Sequence, residues 1–197
     1  MKTVIYIHGQ GGSSDEARHY KPLFEDCNVL GFDYLAATPW EAKDEFANFF
    51  DTVYSAENPV IIIANSIGAF FALTALADKP IEKAYFISPV IDMEKLIENM
   101  MLKADVSEEE LRKKGVIKTQ FGQELSWEYL SFVRQNPVNW KIPTHILYGS
   151  NDNLTTFETV CAFAKKTGAT LTIMENGEHW FHTEKQMKFL DNWIKSM

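Results

Sequence analysis

The chain has 197 residues, 46% of them apolar and 13% aromatic, and a formal net charge of −8 from 27 acidic and 19 basic side chains. That length and apolar share suit one domain, residues 1–197, able to bury roughly 70% of its unfolded surface without a metal or disulfide staple. The acidic balance argues against nucleic-acid binding, which depends on neutralising phosphates.

No apolar run is long enough for a signal-peptide core or a membrane span, so neither secretion nor membrane insertion is expected. Cys27 and Cys161 stand far apart in apolar surroundings and read as reduced core thiols of a cytoplasmic protein.

Residues 3–7 form the first buried strand, and His8-Gly9-Gln10-Gly11-Gly12 follows as a glycine-rich loop. Ser13-x-x-Glu16 is a capping box that opens a helix. The glycine spacing does not give the G-x-G-x-x-G of dinucleotide binding, and Asp33, after the second strand at 28–32, only approaches the position of the ribose-binding acid. Thr38-Pro39-Trp40-Glu41 opens the next helix with a capping threonine, proline in the first turn and glutamate three residues after the cap. Trp40, Phe46, Phe49, Phe50 and Val53 recur there at helical spacing, as a core face.

Residues 60–64 are apolar without alternation, the pattern of a strand buried on both faces. The Ala-rich run at 69–77 reads as a helix packed closely on a sheet, which leaves Asn65-Ser66-Ile67-Gly68 for the turn. A serine on so tight a turn projects its hydroxyl from the sheet's carboxyl edge, beside the unpaired N–H groups of the helix start. Residues 82–87 are the fourth strand. Alternating strands and helices call for a mostly parallel sheet with helices on both faces.

From 90 to 140 the rhythm breaks. Residues 92–102 have helical spacing, Ser107-x-x-Glu110 caps a helix ending at Gly115 with Arg112, Lys113 and Lys114 complementing its dipole, and 127–134 suggests a third helix. An insertion after a strand's carboxyl end reads as a lid whose Met, Trp and Phe side chains form an apolar roof. Residues 143–149 restore the sheet, and Ser150-Asn151-Asp152-Asn153 turns into a helix capped by Thr155-x-x-Glu158. The last strand is 170–174. After a loop at 176–180, Thr183-x-x-Gln186 opens a terminal helix whose Met187, Leu190, Trp193 and Ile194 face inward, so six strands are expected in all.

Ala64-Asn65-Ser66-Ile67-Gly68 resembles the nucleophile elbow, G-x-S-x-G, of the α/β-hydrolase superfamily, with Ala64 where the first glycine usually stands. His8-Gly9-Gln10-Gly11-Gly12 resembles that family's oxyanion loop, Gly149-Ser150-Asn151-Asp152 its acid turn, and Gly177-Glu178-His179 its histidine loop. These segments cover nearly the whole chain and keep the family's order of Ser, Asp and His. The resemblance implies a three-layer α/β/α sandwich on a mostly parallel six-stranded sheet with a small helical lid at 90–140.

It further implies Ser66 as nucleophile, His179 as base and Asp152 as the acid that orients it, with the backbone N–H groups of Gln10 (Gly11 in reserve) and Ile67 as the oxyanion hole. Asp92, also shortly after a strand, rivals Asp152, and His182 rivals His179. His8 reads as a structural part of its turn, His145 as a strand residue and His19 as a surface-helix residue. No cofactor or metal is implied, since Glu178, His179, His182 and Glu184 do not form H-E-x-x-H.

The expected activity is cleavage of a small or medium acyl ester through an acyl-enzyme on Ser66. Thioester or carbon–carbon hydrolysis, or an idle hydrolase-fold binding protein, are the alternatives. The expected partner is a small molecule with an apolar acyl or aryl group, with no nucleic acid and no membrane, and oligomeric state stays open.

Overall fold

The structure, a computed structural model, describes residues Met1–Met197. The strand β1 (Lys2–Ile7) leads through its loop and a 3-10 turn, Ser14–Glu16, into a one-turn helix α1 (Ala17–Tyr20), and β2 (Cys27–Phe32) follows. The Glu16 carboxylate does accept the Ser13 N–H, at 3.3 Å, yet the helix it opens is short. Pro22, in the next 3-10 turn, has no N–H to continue the ladder, and its ring opposes helical packing on the preceding turn. His19 is therefore not on a free surface helix: half-buried, it is held to Asp191 at 2.7 Å.

The chain continues through α2 (Pro39–Val53), β3 (Val60–Asn65), α3 (Ile67–Ala75) and β4 (Ile81–Ile87). At the start of α2 the Thr38 Oγ1 accepts the Glu41 N–H and the Glu41 carboxylate accepts the Thr38 N–H, closing a capping box around Pro39. Phe46 and Phe50 are buried along its inner face, while Trp40 and Phe49 are half-buried, Phe49 stacking on Phe32 with ring centroids 4.0 Å apart. The last part of the chain holds β7 (Thr144–Gly149), α7 (Phe157–Thr167), β8 (Thr170–Met174) and α8 (Glu184–Lys195).

Six parallel strands form one sheet in the order β2-β1-β3-β4-β7-β8. β3 is apolar and buried on both faces from Val60 to Ala64, as the absence of alternation requires, and β1 and β4 are buried likewise over residues 3–7 and 84–87. Val4, Tyr6, Ile61, Ile63, Tyr85 and Ile87 form one core with Ala17 and Tyr20 of α1 and Leu190, Trp193 and Ile194 of α8. The alternate residues Ile5, Ile7, Ile62 and Phe86 point to the opposite face, where α2 and α3 pack together through Phe46 and Phe71. This is a three-layer α/β/α sandwich. Strand order reverses between β1 and β3, which opens a crevice at the carboxyl edge where those two strands end.

The chain divides into two compact units, one of residues Met1–Ile91 with Asn139–Met197, the other Asp92–Val138. The second contains α4 (Met93–Lys103), α5 (Glu108–Lys114), the strands β5 (Val116–Lys118) and β6 (Glu124–Ser126), and α6 (Trp127–Gln135). The β5–β6 hairpin was not expected from the sequence; it is antiparallel, three residues a side, and turns through Gly122 at φ 83. Arg134 on α6 ties this unit together, its guanidinium reaching Glu94 at 2.7 Å, Glu98 at 3.3 Å and Glu108 at 2.9 Å.

Two local expectations are corrected. The residue that caps α7 is Thr156, whose Oγ1 accepts the Thr159 N–H, because the Thr155 N–H is committed to Asp152 and the Thr155 carbonyl to Tyr148. Cys27 and Cys161 are free thiols as expected, but both are half-buried rather than in the core.

Candidate active site

The turn carrying Ser66 is tighter than the sequence implied. β3 runs through Asn65 and α3 starts at Ile67, so the whole reversal falls on Ser66, at φ 51 and ψ −120. Such a backbone costs an L-residue on the order of 1–3 kcal/mol and persists only where the surroundings impose it. Here the Ser66 N–H donates to the Ile87 carbonyl at 3.0 Å, and its carbonyl accepts the N–H groups of Ala69 at 3.2 Å and Val90 at 3.0 Å. Gly68 is required one helical step on, because a Cβ there would lie 2.3 Å from the His8 carbonyl oxygen. Ala64 fits at the position of the missing glycine, fully buried and paired with Ile7 and Phe86.

Three side chains from three strand ends meet at this point. Ser66 Oγ lies 2.8 Å from His179 Nε2, and His179 Nδ1 lies 2.7 Å from Asp152 Oδ2. Asp152 Oδ1 accepts the N–H groups of Leu154 at 2.8 Å and Thr155 at 2.9 Å, which fixes the carboxylate. The Asp152 side chain is 0% exposed and that of His179 13%. An ionised carboxylate on Nδ1–H sets the histidine tautomer and leaves the Nε2 lone pair facing the serine hydroxyl.

The acid and histidine loops are joined to each other. Asn151 N–H donates to the Gly177 carbonyl at 2.8 Å, Ser150 N–H to the Met174 carbonyl at 3.0 Å, and Asn176 N–H to Ser150 Oγ at 2.8 Å. A Cβ on Gly149 would stand 2.5 Å from the Gly177 carbonyl carbon, so the two loops touch backbone to backbone. Tyr148, the last but one residue of β7, donates its hydroxyl to the Thr155 carbonyl at 3.0 Å and braces the acid turn from beneath. Burial first and the Asp152 charge second raise the Tyr148 pKa, which keeps that hydroxyl a donor.

Beyond β1, the Gly9 carbonyl accepts His8 Nδ1–H at 2.9 Å and Gly12 N–H at 3.1 Å. In a trans peptide the N–H points opposite to its carbonyl, so the Gln10 N–H is directed away from those bonds. Gly9 lies against the elbow, where a Cβ would be 3.1 Å from Ser66 Cβ. Neither the Gln10 nor the Ile67 N–H has a backbone acceptor. His8 is held from behind by Tyr34, which stacks on its ring at 4.2 Å and donates its hydroxyl to the His8 carbonyl at 2.8 Å. Burial, and then the charge of Glu45, push the Tyr34 hydroxyl well above its ordinary pKa, so it too remains a donor.

The rival residues have other partners. Asp92 caps α4, its Oδ1 accepting the Lys95 N–H at 3.0 Å. His182 is bonded through Nδ1 to the Trp180 carbonyl at 2.7 Å and stacks on the Trp180 ring. His145 lies in β7 with Nδ1 on Thr170 Oγ1 at 2.8 Å, and burial, then Lys83, lowers its pKa. No group of three or more His, Cys, Asp or Glu side chains is arranged to hold a metal ion. Sequence reading missed Tyr34, Tyr148 and Ser150, because a bracing hydroxyl leaves no spacing signal; the glycines at 149 and 177 were visible but their mutual contact was not.

No protein-family model and no curated protein sequence matches the chain. Solved structures do. Est1E from Butyrivibrio proteoclasticus superimposes with a TM-score of 0.80 at 19% identity, over 99% of this chain and 86% of that one. Alpha/beta hydrolase domain-containing protein 10 from mouse gives 0.77 at 14% identity, over 98% and 88%. The Pyrococcus furiosus esterase PF2001 gives 0.60 at 23% identity, over 99% and 79%. With its strand order, its strained serine elbow and these likenesses over nearly its full length, the chain has the α/β-hydrolase fold.

Proposed function

We propose that the chain is a serine hydrolase that cleaves esters of small or medium apolar acyl or aryl groups through an acyl-enzyme on Ser66. The observation that carries this reading is the unbroken hydrogen-bonded line from Ser66 Oγ through His179 to a buried Asp152. His179 Nε2 takes the hydroxyl proton as Ser66 Oγ bonds to the ester carbonyl carbon. The carbonyl oxygen gains the negative charge, which the N–H groups of Gln10 and Ile67 receive. His179 then returns the proton to the departing alkoxide and the C–O bond breaks. Water, deprotonated by the same nitrogen, attacks the acyl-enzyme and releases the acid. Asp152 stays ionised throughout and stabilises the imidazolium.

One observation favours an apolar substrate. The loops bearing Asp152 and His179 also carry exposed apolar side chains, Leu154 and Trp180, 44% and 67% accessible. The cleavage of an ester is supported by a similar solved structure that is named as an esterase. Hydrolysis of p-nitrophenyl esters of graded acyl length tests the reading. Turnover of short and medium chains, lost in Ser66→Ala, is the expected result, and no turnover of any ester by the folded chain would contradict it.

A further inference from the structure

Ser88, the first residue beyond β4, is fully buried, and its hydroxyl has no hydrogen-bond partner. Its backbone lies at φ 42, where an L side chain is strained. An unsatisfied buried hydroxyl and a strained backbone both oppose folding, and alanine would remove the first and glycine the second. A serine here needs a compensating role.

Its neighbours indicate what that role is. Ser88 N–H donates to the Leu147 carbonyl of β7 at 2.9 Å; the Ile87 carbonyl before it accepts the Ser66 N–H; Val90 N–H, after it, donates to the Ser66 carbonyl. Thr155 Oγ1, in the acid turn, donates to the Pro89 carbonyl at 3.4 Å. Ser88 thus sits on the carboxyl edge between the elbow and the acid turn, one strand from each. Asp152 Oδ1 holds two N–H donors, whereas Oδ2 holds only the ring N–H of His179. A carboxylate oxygen accepts two hydrogen bonds, so a wholly buried Oδ2 keeps one acceptor position open, and Ser88, at the end of the neighbouring strand, keeps one donor unused.

We propose that Ser88 is a positioning residue for the triad, its hydroxyl serving the open acceptor position of Asp152 Oδ2 through one bridging water. This rests on the roles proposed above for Ser66, His179 and Asp152. A second donor on Oδ2 restrains rotation of the carboxylate and spreads its charge, which holds the His179 ring in line with Ser66.

The test is the proton NMR resonance of His179 Nδ1–H in the parent chain and in Ser88→Ala and Ser88→Gly, with melting temperature and ester kinetics alongside. The expected result is a displaced resonance in both variants, kcat reduced about tenfold at unchanged KM, the worth of one hydrogen bond to a charged group, and no gain in melting temperature for Ser88→Ala. An unmoved resonance in both variants, with both melting at or above the parent, would overturn the proposal, because an idle hydroxyl and its backbone strain would merely have been relieved. The resonance needs no turnover to be read. A moved resonance in a chain whose Ser66 proves unreactive therefore keeps the Ser88–Asp152 link and removes the hydrolase reading, while a reactive Ser66 with an unmoved resonance removes Ser88 alone.

Discussion

Ser66 combines a strained backbone with a hydroxyl directed at His179 Nε2, and each depends on contacts that single substitutions remove. Asp152→Asn leaves Oδ1 with its Leu154 and Thr155 donors, so the turn keeps its shape, but an amide no longer selects the tautomer with Nε2 free. We expect kcat to fall by on the order of 10⁴, as when the acid of such a triad is made an amide, with an unchanged circular-dichroism spectrum. A variant with near-parent turnover would sink the role given to Asp152. Gly68→Ala places a Cβ 2.3 Å from the His8 carbonyl and should destabilise by about 1–3 kcal/mol, read by urea unfolding. The convergence of Ser66, Asp152 and His179 was legible because each follows a parallel strand recognisable in the sequence. Thr155-x-x-Glu158 has the capping-box spacing that Thr156-x-x-Thr159 lacks, and only the fold decides that the Thr155 N–H is already spent on Asp152, which leaves the cap to Thr156. The unused hydroxyl of Ser88 likewise has no counterpart in one dimension.

At the scale of elements, the loops after β7 and β8 behave as one piece through the Gly149–Gly177 contact and the Ser150–Asn176 hydrogen bond. Gly149→Ala must separate them, and since one carries Asp152 and the other His179, activity and melting temperature should fall together; a stable but inactive variant would point instead to a purely local effect. In the unit Asp92–Val138, Arg134 links α4, α5 and α6 through three carboxylates that are themselves partly exposed. Arg134→Met should raise amide exchange several-fold across those three helices and leave β1, β3 and β4 protected, since such pairs are individually weak but here converge on one side chain. Equal protection in both proteins would show the bridges to be ornamental. The long strands and capped helices were readable from periodicity and caps. The β5–β6 hairpin was not, because three residues a side cannot display alternation, although Gly122 in its turn was a signal in hindsight.

For the molecule as a whole, strand order places the ends of β1 and β3 on either side of the switch point, so the elbow and the glycine loop face one crevice while the loops after β7 and β8 bring Asp152 and His179 from the side. That convergence follows from an all-parallel sheet, which puts every carboxyl end on one edge; the sequence rhythm foretold it, but not which strands would be neighbours at the exposed margins. The net charge of −8 should keep the chain from being retained on duplex DNA or heparin at about 0.15 M salt, checked by column retention, and firm retention would reveal a basic surface that the composition conceals. The most direct test of an activated Ser66 is intact mass after exposure to a fluorophosphonate, on the parent chain and on Ser66→Ala. One adduct on the parent and none on the variant is the predicted result; no adduct on the folded parent, or one that survives in Ser66→Ala, would contradict it.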